Sequence, residues 1–328
     1  MTVQTIKMSS ESGVAAAAAR IKKAQSALIF CHTRPDGDTL GSGLALLYAM
    51  RAAGKTAYVV CEEAPPAKFC FLEGMSGVLT SVPEGEFDCY IAVDCAEPAR
   101  MGALGHEFTK FRGDTVNIDH HISNTNYAKC NCVRVCPATC ELMPEIIDAA
   151  GLEIDGLTAN FLMLGLVTDT GLFVHSDVTA HTFEVAARLR AAGADVNKIN
   201  YEMFSRQKKQ RALLFRRALG NLRFALEDKL AFILVTDEDI RQTGAERSMT
   251  EGFVDYPLTI DGVEVSIALM EMKSGQYKAS LRSKGSVNVN AVASTFGGGG
   301  HILASGCMLF GEYEEVIDRL TYAVYQHL

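Results

Sequence analysis

Four apolar runs in this chain each end on a carboxylate or an imidazole, and that pattern restricts the fold more than any other feature. Ala27-Leu28-Ile29-Phe30-Cys31 runs into His32-Thr33-Arg34-Pro35-Asp36-Gly37-Asp38. Residues 90–93 end at Asp94, 115–118 at Asp119-His120-His121, and 162–168 at Asp169. Short runs of this kind read as strands buried on both faces, as in a parallel sheet covered by helices. In an open α/β sheet the C-terminal ends of the strands converge on one crevice, where ligands bind.

The stretches between these runs support that reading. Residues 39–53 have helical spacing, with leucines at 44, 46 and 47 and Gly54 as a C-terminal stop. Residues 56–60, 88–94 and 115–119 read as strands, and 141–150, 157–167 and 179–192 as helices. The rhythm predicts an α/β domain, a mostly parallel sheet with helices on both faces, over residues 1–195. Residues 196–220 crowd Arg206, Lys208, Lys209, Arg211, Arg216 and Arg217 into a polar helical stretch, read as a linker helix with either a solvated face or one overlooking the crevice. Residues 221–328 form a smaller α/β domain. Its strands are expected at 230–235, 263–272, 276–283 and 305–310, with a terminal helix opening at Glu312.

Composition narrows the class. The chain has 328 residues, 48% of them hydrophobic and 21% charged, enough for two domains with cores of their own. No apolar run approaches the roughly 20 residues that span a bilayer. The alanines at 15–19 follow a polar start and precede Arg20, Lys22 and Lys23, which suggests a helix capped at Ser9 or Ser10 rather than a leader. A cytoplasmic protein without a membrane partner is expected. A net charge of −8 disfavours long duplex nucleic acid and leaves room for a short nucleotide held by a local basic patch and metal ions. Ten cysteines in such a chain read as reduced thiols. Cys130, Cys132, Cys136 and Cys140 match no common ligand spacing and are assigned to packing, with metal or redox chemistry as the lesser readings.

His32, Asp36, Asp38, Asp94, Asp119, His120 and Asp169 form a mixed carboxylate and imidazole set. Such a set suits Mn²⁺, Mg²⁺ or Fe²⁺ better than a structural zinc site. It is too large for one catalytic ion and suits two, which together clamp a phosphorus centre under attack. One carboxylate must bridge them, and Asp94 is the choice. In the second domain Phe296-Gly297-Gly298-Gly299-Gly300-His301, after a helix at 289–296, reads as either a flexible hairpin or a phosphate cradle. Arg282, with Ser283 beside it, is placed to clamp a phosphate through its planar fork.

The pattern His32-x-x-x-Asp36-x-Asp38, then Asp94, Asp119-His120-His121 and Asp169, resembles the DHH phosphoesterase superfamily. The glycine run with His301, followed by Ala304-Ser305-Gly306, resembles its DHHA1 domain, so the likeness spans nearly the whole chain. The resemblance implies an active site in the cleft between the domains and two divalent ions, most often Mn²⁺. His32 and Asp36 would hold the first, and Asp38, His120 and Asp169 the second, with Asp94 shared. It further implies that His121 acts as acid or charge stabiliser, that Asp119 orients a ligand histidine, and that the second domain closes over the site. Gly298, Gly299, Gly300, His301, Arg282 and Ser283 would contact substrate, as would Arg100. Leu172 departs from relatives that often carry a polar or basic residue there.

Within the superfamily the chain is similar to the compact nanoRNase/pAp phosphatase (NrnA-like) group. RecJ-type exonucleases and membrane-anchored phosphodiesterases carry further segments, and family II pyrophosphatases lack the glycine-rich histidine motif. The expected activity is hydrolysis of short oligoribonucleotides to nucleoside monophosphates, with dephosphorylation of pAp. The alternatives are a cyclic-di-AMP or pApA phosphodiesterase, polyphosphate or pyrophosphate hydrolysis, and a nucleotide-binding regulator with a silent metal site. A homodimer is compatible with the sequence.

Overall fold

A computed structural model describes residues 11–328. The expected cap at Ser9 or Ser10 lies outside the described residues. The chain divides between Arg206 and Gln207 into two compact units.

The first unit is a six-stranded parallel sheet. In chain order its elements are α1 (Glu11–Lys23), β1 (Ser26–Phe30), α2 (Gly37–Ala52), β2 (Thr56–Val60), β3 (Val78–Leu79), β4 (Cys89–Val93), α3 (Leu104–Lys110), β5 (Asp114–Asp119), β6 (Cys130–Val133), α4 (Thr139–Ala149), α5 (Gly156–Asp169), α6 (Ala180–Ala191) and α7 (Val196–Asn200). The strand order is β3-β2-β1-β4-β5-β6, every pairing parallel. The order reverses between β1 and β4, the switch point where such sheets bind ligands. His32 follows β1 and Asp94 follows β4.

Side chains alternate across the sheet. Ala27, Ile29 and Cys31 pack on one face with α1, α2, α4 and α5, while Leu28 and Phe30 pack on the other with Met101, Leu104 and Phe108. Burial on both faces is why the strands read as continuous apolar runs. The cysteines share this packing, Cys130 and Cys132 within β6 and Cys140 in the first turn of α4.

Helices α2 and α5 approach closely because glycines line their contact. A Cβ on Gly41 would meet the Phe161 carbonyl at 2.5 Å, and one on Gly165 would meet Asp38 Oδ1 at 2.8 Å. That approach brings the start of α2, with Asp36 and Asp38, beside the end of α5, with Asp169. Three of the four chemical clusters thus leave strand ends, and the fourth leaves the last turn of a buried helix.

The second unit comprises α8 (Lys209–Gly220), β7 (Arg223–Ala225), β8 (Leu230–Val235), α9 (Asp237–Thr243), β9 (Val265–Lys273), β10 (Gln276–Ser283), α10 (Val289–Ser294), β11 (Gly299–His301), β12 (Ala304–Phe310) and α11 (Tyr313–Tyr325). Its sheet runs β11-β12-β10-β9-β8-β7, antiparallel except for the parallel β8–β9 pair. One face packs on α10 and α11 through residues such as Ile267, Leu281, Val292 and Leu320.

The linker helix expected over 196–220 is not one helix. After α7 the chain makes a π-helical turn at Tyr201–Ser205, is extended at Arg206, and restarts as α8. Leu214 and Ala218 of α8 are buried with Ile233 and Val235, so α8 is part of the second unit's core. Its basic residues serve local ties. Arg217 pairs with Asp239 at 3.2 Å, and Arg211 donates to the Glu251 carbonyl at 2.9 Å. Among the described residues no helix is long and apolar enough to cross a membrane.

Candidate metal centre

The carboxylates and imidazoles of the first unit gather into three groups that could each hold a cation: His32 with Asp36 and Asp94; Asp38 with His120 and Asp169; and Asp94 with His120 and His121. Asp94 is central. Its Oδ2 lies 3.4 Å from His32 Nε2 and its Oδ1 3.4 Å from His120 Nε2. One carboxylate therefore offers one oxygen to each side. Asp94 adopts the left-handed conformation, φ +56, with its N–H donating to the Ile118 carbonyl at 2.8 Å. A non-glycine residue held there carries strain, and strain of this kind collects at functional sites.

The histidine tautomers follow from the backbone. His32 Nδ1 is 2.8 Å from the Thr33 carbonyl and His120 Nδ1 is 2.8 Å from the Cys136 carbonyl. Each Nδ1 carries the proton it donates, so in the neutral ring each Nε2 presents a lone pair. His32 Nε2 is buried without a hydrogen-bond partner and faces Asp36 Oδ2 and Asp94 Oδ2, both at 3.4 Å. His120 Nε2 faces Asp94 Oδ1, Asp169 Oδ2 at 3.7 Å and Asp38 Oδ2 at 4.0 Å. In that neutral form acceptors face acceptors, and either a proton or a metal cation between them relieves the contact. Atoms spaced this way can each sit about 2.1 Å from a shared centre, the usual distance for nitrogen and oxygen ligands.

Electrostatics point the same way. Burial opposes charge on His32, yet Asp36 and Asp94 outweigh it and push the imidazole up to about 10. Burial and then the Asp94 charge push the Asp38 carboxyl above the ordinary range. Burial and the charges of Asp38 and Asp94 do the same to Asp169. Asp94, although buried, is held below that range by His120 and His32. So many acids in one buried place cannot all ionise unless positive charge joins them. The residues fit two divalent ions.

Neighbouring elements hold the ligands. Asp36 caps α2, its Oδ1 accepting from the Asp38 and Thr39 amides at 3.1 Å, which leaves Oδ2 for His32. Asp38 accepts from the Thr139 amide at 2.6 Å and the Cys140 amide at 2.8 Å, at the positive end of α4. The Thr139 hydroxyl donates to Asp94 Oδ1 at 3.1 Å. His175 Nδ1 donates to the Asp169 carbonyl at 2.7 Å. Thr139, Cys140 and His175 carry no motif, and the sequence offers no signal for them.

The histidine that Asp119 holds is His121, a member of the third candidate group, and not His120. Asp119 Oδ1 accepts from His121 Nδ1 at 2.8 Å, whereas His120 is oriented by a carbonyl. His121 is thus the histidine with a carboxylate behind it, and it is partly exposed. Arg100 is exposed in the 3-10 turn Pro98–Met101, and its carbonyl accepts from the Thr33 amide at 2.8 Å, beside His32. Leu172 packs partly buried against the first unit's core at φ +62, in a left-handed turn after Asp169.

In the second unit Arg282 lines a cavity of about 500 Å³ with Lys278, Ser280, Met270 and Phe253, and its Nε lies 3.3 Å from Asp255 Oδ1. Ser283 is turned inward, its hydroxyl accepting from the Gly285 and Val287 amides at 3.0 and 3.3 Å. The glycine run is not a free loop. Gly299–His301 is the edge strand β11, paired with β12 through a tight hairpin. A Cβ on Gly298 would meet the Gly306 carbonyl at 2.2 Å, and one on Gly300 would meet the Ala304 carbonyl at 2.5 Å. Close strand approach accounts for both glycines. A Cβ on Gly299 would meet only Asn290 Oδ1, at 3.8 Å, and His301 is exposed.

Comparisons with known proteins identify the family. The DHH family N-terminal domain matches residues 26–166 and the DHHA1 domain matches residues 227–327. A bifunctional oligoribonuclease and PAP phosphatase NrnA from Thermus thermophilus is 31% identical over 305 residues, covering 92% of this chain and 89% of that protein. A cyclic-di-AMP phosphodiesterase GdpP from Geobacillus thermodenitrificans is 24% identical, and the match covers 48% of its length. The crystal structure of an exopolyphosphatase-related protein from Bacteroides fragilis superposes with a TM-score of 0.80 over 98% of both chains at 24% identity, a likeness of fold.

Proposed function

This chain is a metal-dependent hydrolase of the DHH phosphoesterase family with a DHHA1 domain, and from that premise we propose that it hydrolyses short oligoribonucleotides to nucleoside monophosphates and removes the 3′-phosphate of pAp. The observation that carries this reading is the pair of ligand groups hinged on Asp94, in a chain that matches most of a relative named for both activities.

His32, Asp36 and Asp94 are proposed to hold one ion, and Asp38, His120, Asp169 and Asp94 the other, with Mn²⁺ favoured by the mixed oxygen and nitrogen donors. Bound ions of this class lower the pKa of water and neutralise phosphoryl oxygens. The chain's own residues supply the rest. Asp119 accepts from His121 Nδ1, so a ring that takes up a second proton carries it on Nε2 and can give that one to the departing oxygen, returning to the neutral Nδ1–H form. Asp38, fixed by the amides of α4, keeps its side of the site rigid. In the second unit Gly299 and His301 are the exposed groups proposed to meet phosphate and base, together with Arg282, which would exchange its Asp255 contact for a phosphate, and with Arg100 a further candidate in the first. Reduced, packed cysteines and an RNA substrate suit the cytoplasm.

The test is product analysis by chromatography. Manganese-loaded protein is mixed separately with pApA, short RNA, pAp, cyclic-di-AMP and pyrophosphate, with Asp94→Ala as the blank. AMP from pApA and adenosine 5′-monophosphate from pAp are expected. Cleavage of cyclic-di-AMP with pAp untouched would replace this reading, and so would turnover of pyrophosphate alone.

A further inference from the structure

Behind the ligands lies a group of polar side chains that neither the sequence motifs nor the metal chemistry accounts for. Asn117 is fully buried in β5, the most expensive place for an amide unless every polar atom is bonded. Its Nδ2 donates to Tyr127 Oη at 3.1 Å and the Cys95 carbonyl at 3.1 Å. Its Oδ1 accepts from Asn124 Nδ2 at 2.7 Å. The same Asn124 nitrogen lies 2.5 Å from Asp119 Oδ2, and Asn124 Oδ1 accepts from the Asn126 amide at 2.7 Å. The Tyr127 hydroxyl donates to the Cys95 carbonyl at 3.0 Å.

These bonds form one chain with two ends. One end is Asp119, whose other oxygen holds His121 at 2.8 Å. The other is the Cys95 carbonyl, on the second peptide after the strained Asp94. That carbonyl accepts from Tyr127 at 3.0 Å, Asn117 at 3.1 Å and, more distantly, Asn124 at 3.5 Å, which ties down the turn that follows the shared carboxylate. His121 Nδ1 lies 3.6 Å from Asp94 Oδ1, so a small rotation at either end alters how acid and shared carboxylate face each other.

We propose that Asn117, Asn124 and Tyr127 are positioning residues, a single network that sets His121 against Asp94. Asn124 acts on the His121 side through Asp119, and Tyr127 acts on the Asp94 side through the Cys95 carbonyl. The proposal rests on the phosphoesterase reading for its kinetic arm only.

The experiment measures kcat and KM on pApA and, separately, Mn²⁺ affinity by calorimetry on substrate-free protein. It compares wild type, Asn124→Ala, Tyr127→Phe, His121→Ala and the double variant Asn124→Ala/His121→Ala. Asn124→Ala is expected to lower kcat about 10- to 100-fold, the range for outer-shell partners, with KM and Mn²⁺ affinity near wild type. In the His121→Ala background the same change should cost less than about 2-fold, because the residue it steers is gone. Tyr127→Phe, which removes one hydroxyl and keeps the ring, should weaken Mn²⁺ binding about 10-fold. Equal losses from Asn124→Ala in both backgrounds would reduce Asn124 to a fold-keeping role and overturn the proposal, as would unchanged Mn²⁺ affinity in Tyr127→Phe. Wild-type protein that binds Mn²⁺ but leaves pApA intact would sink the functional reading instead, with the affinity arm still deciding the network.

Discussion

The two units carry their signature residues in opposite ways. In the first, the signature works against folding: buried carboxylates that repel one another, a histidine nitrogen with no partner, and an aspartate at φ +56. None of these helps the chain fold, and together they make sense only as a cation site. In the second, the signature serves folding. Gly298 and Gly300 let β11 and β12 approach, and Ser283 caps a turn. A cluster of groups that cost stability therefore says more about function than a run of residues the backbone itself requires.

Changes in the first unit should test that contrast most severely. Asp94→Ala removes the carboxylate common to both ligand groups. Activity should fall to the buffer level and bound manganese should drop, as measured by metal analysis after desalting. Retained turnover would dissolve the two-ion site. His121→Ala removes none of the side chains proposed to hold the two ions, so the metal content should hold while kcat falls about 100- to 10,000-fold, the span of lost acid catalysis. Loss of metal along with rate would make His121 a ligand.

Arg282→Ala carries the contrast into the second unit. Arg282 is the signature residue there whose charged group lines a cavity rather than closing a turn. KM should rise about 10-fold with kcat nearly constant, the mark of lost binding shared by ground and transition states. A fall in kcat at constant KM would move Arg282 into the chemistry.

Stability should also depend on pH in a way set by the first unit's charges. His32 is raised to about 10 in the folded, metal-free protein, against about 6.5 when unfolded. Its contribution is complete below about 6.5 and vanishes as pH climbs through 10. Asp38 and Asp169 are also raised, so folded protein binds their protons more tightly and loses that advantage as pH rises. Asp94 is depressed and works the other way only at acid pH. Chelator-treated protein should therefore lose melting temperature between pH 7 and 10, and manganese should abolish the slope. A flat profile without metal would mean the charges are compensated by other groups.

Much of this was legible in the sequence, for stated reasons. Residues 89–93 and 114–119 lie on both faces of a covered sheet, so their apolar runs gave strand and end together. Asp169 follows an equally apolar run that is helical, because α5 is buried nearly all round and shows no polar stripe. The break at Arg206 left no mark, since no proline or glycine stands there. Asn117, Asn124 and Tyr127 stayed hidden because their meaning lies in which atoms meet, and Thr139 and Cys140 because they hold Asp38 through backbone amides that any residue has. The glycine run misled in part, since its partners at Ala304 and Gly306 look like an ordinary strand start.

The finest test separates the glycines from one another. Gly298→Ala drives a methyl into the Gly306 carbonyl and should lower the melting temperature, because backbone cannot yield as a side chain can. Gly299→Ala meets only Asn290 Oδ1 at 3.8 Å, ordinary contact, so the melting temperature should hold. An edge strand leaves alternate amides without a ladder partner, and Gly299 is where a phosphate has room to reach them. A methyl there should raise KM for pApA about 3-fold, roughly 0.6 kcal/mol by the usual conversion. If KM stays put while Gly298→Ala still melts early, the run is a hairpin device alone, and the substrate contacts of the second unit reduce to Arg282 and His301.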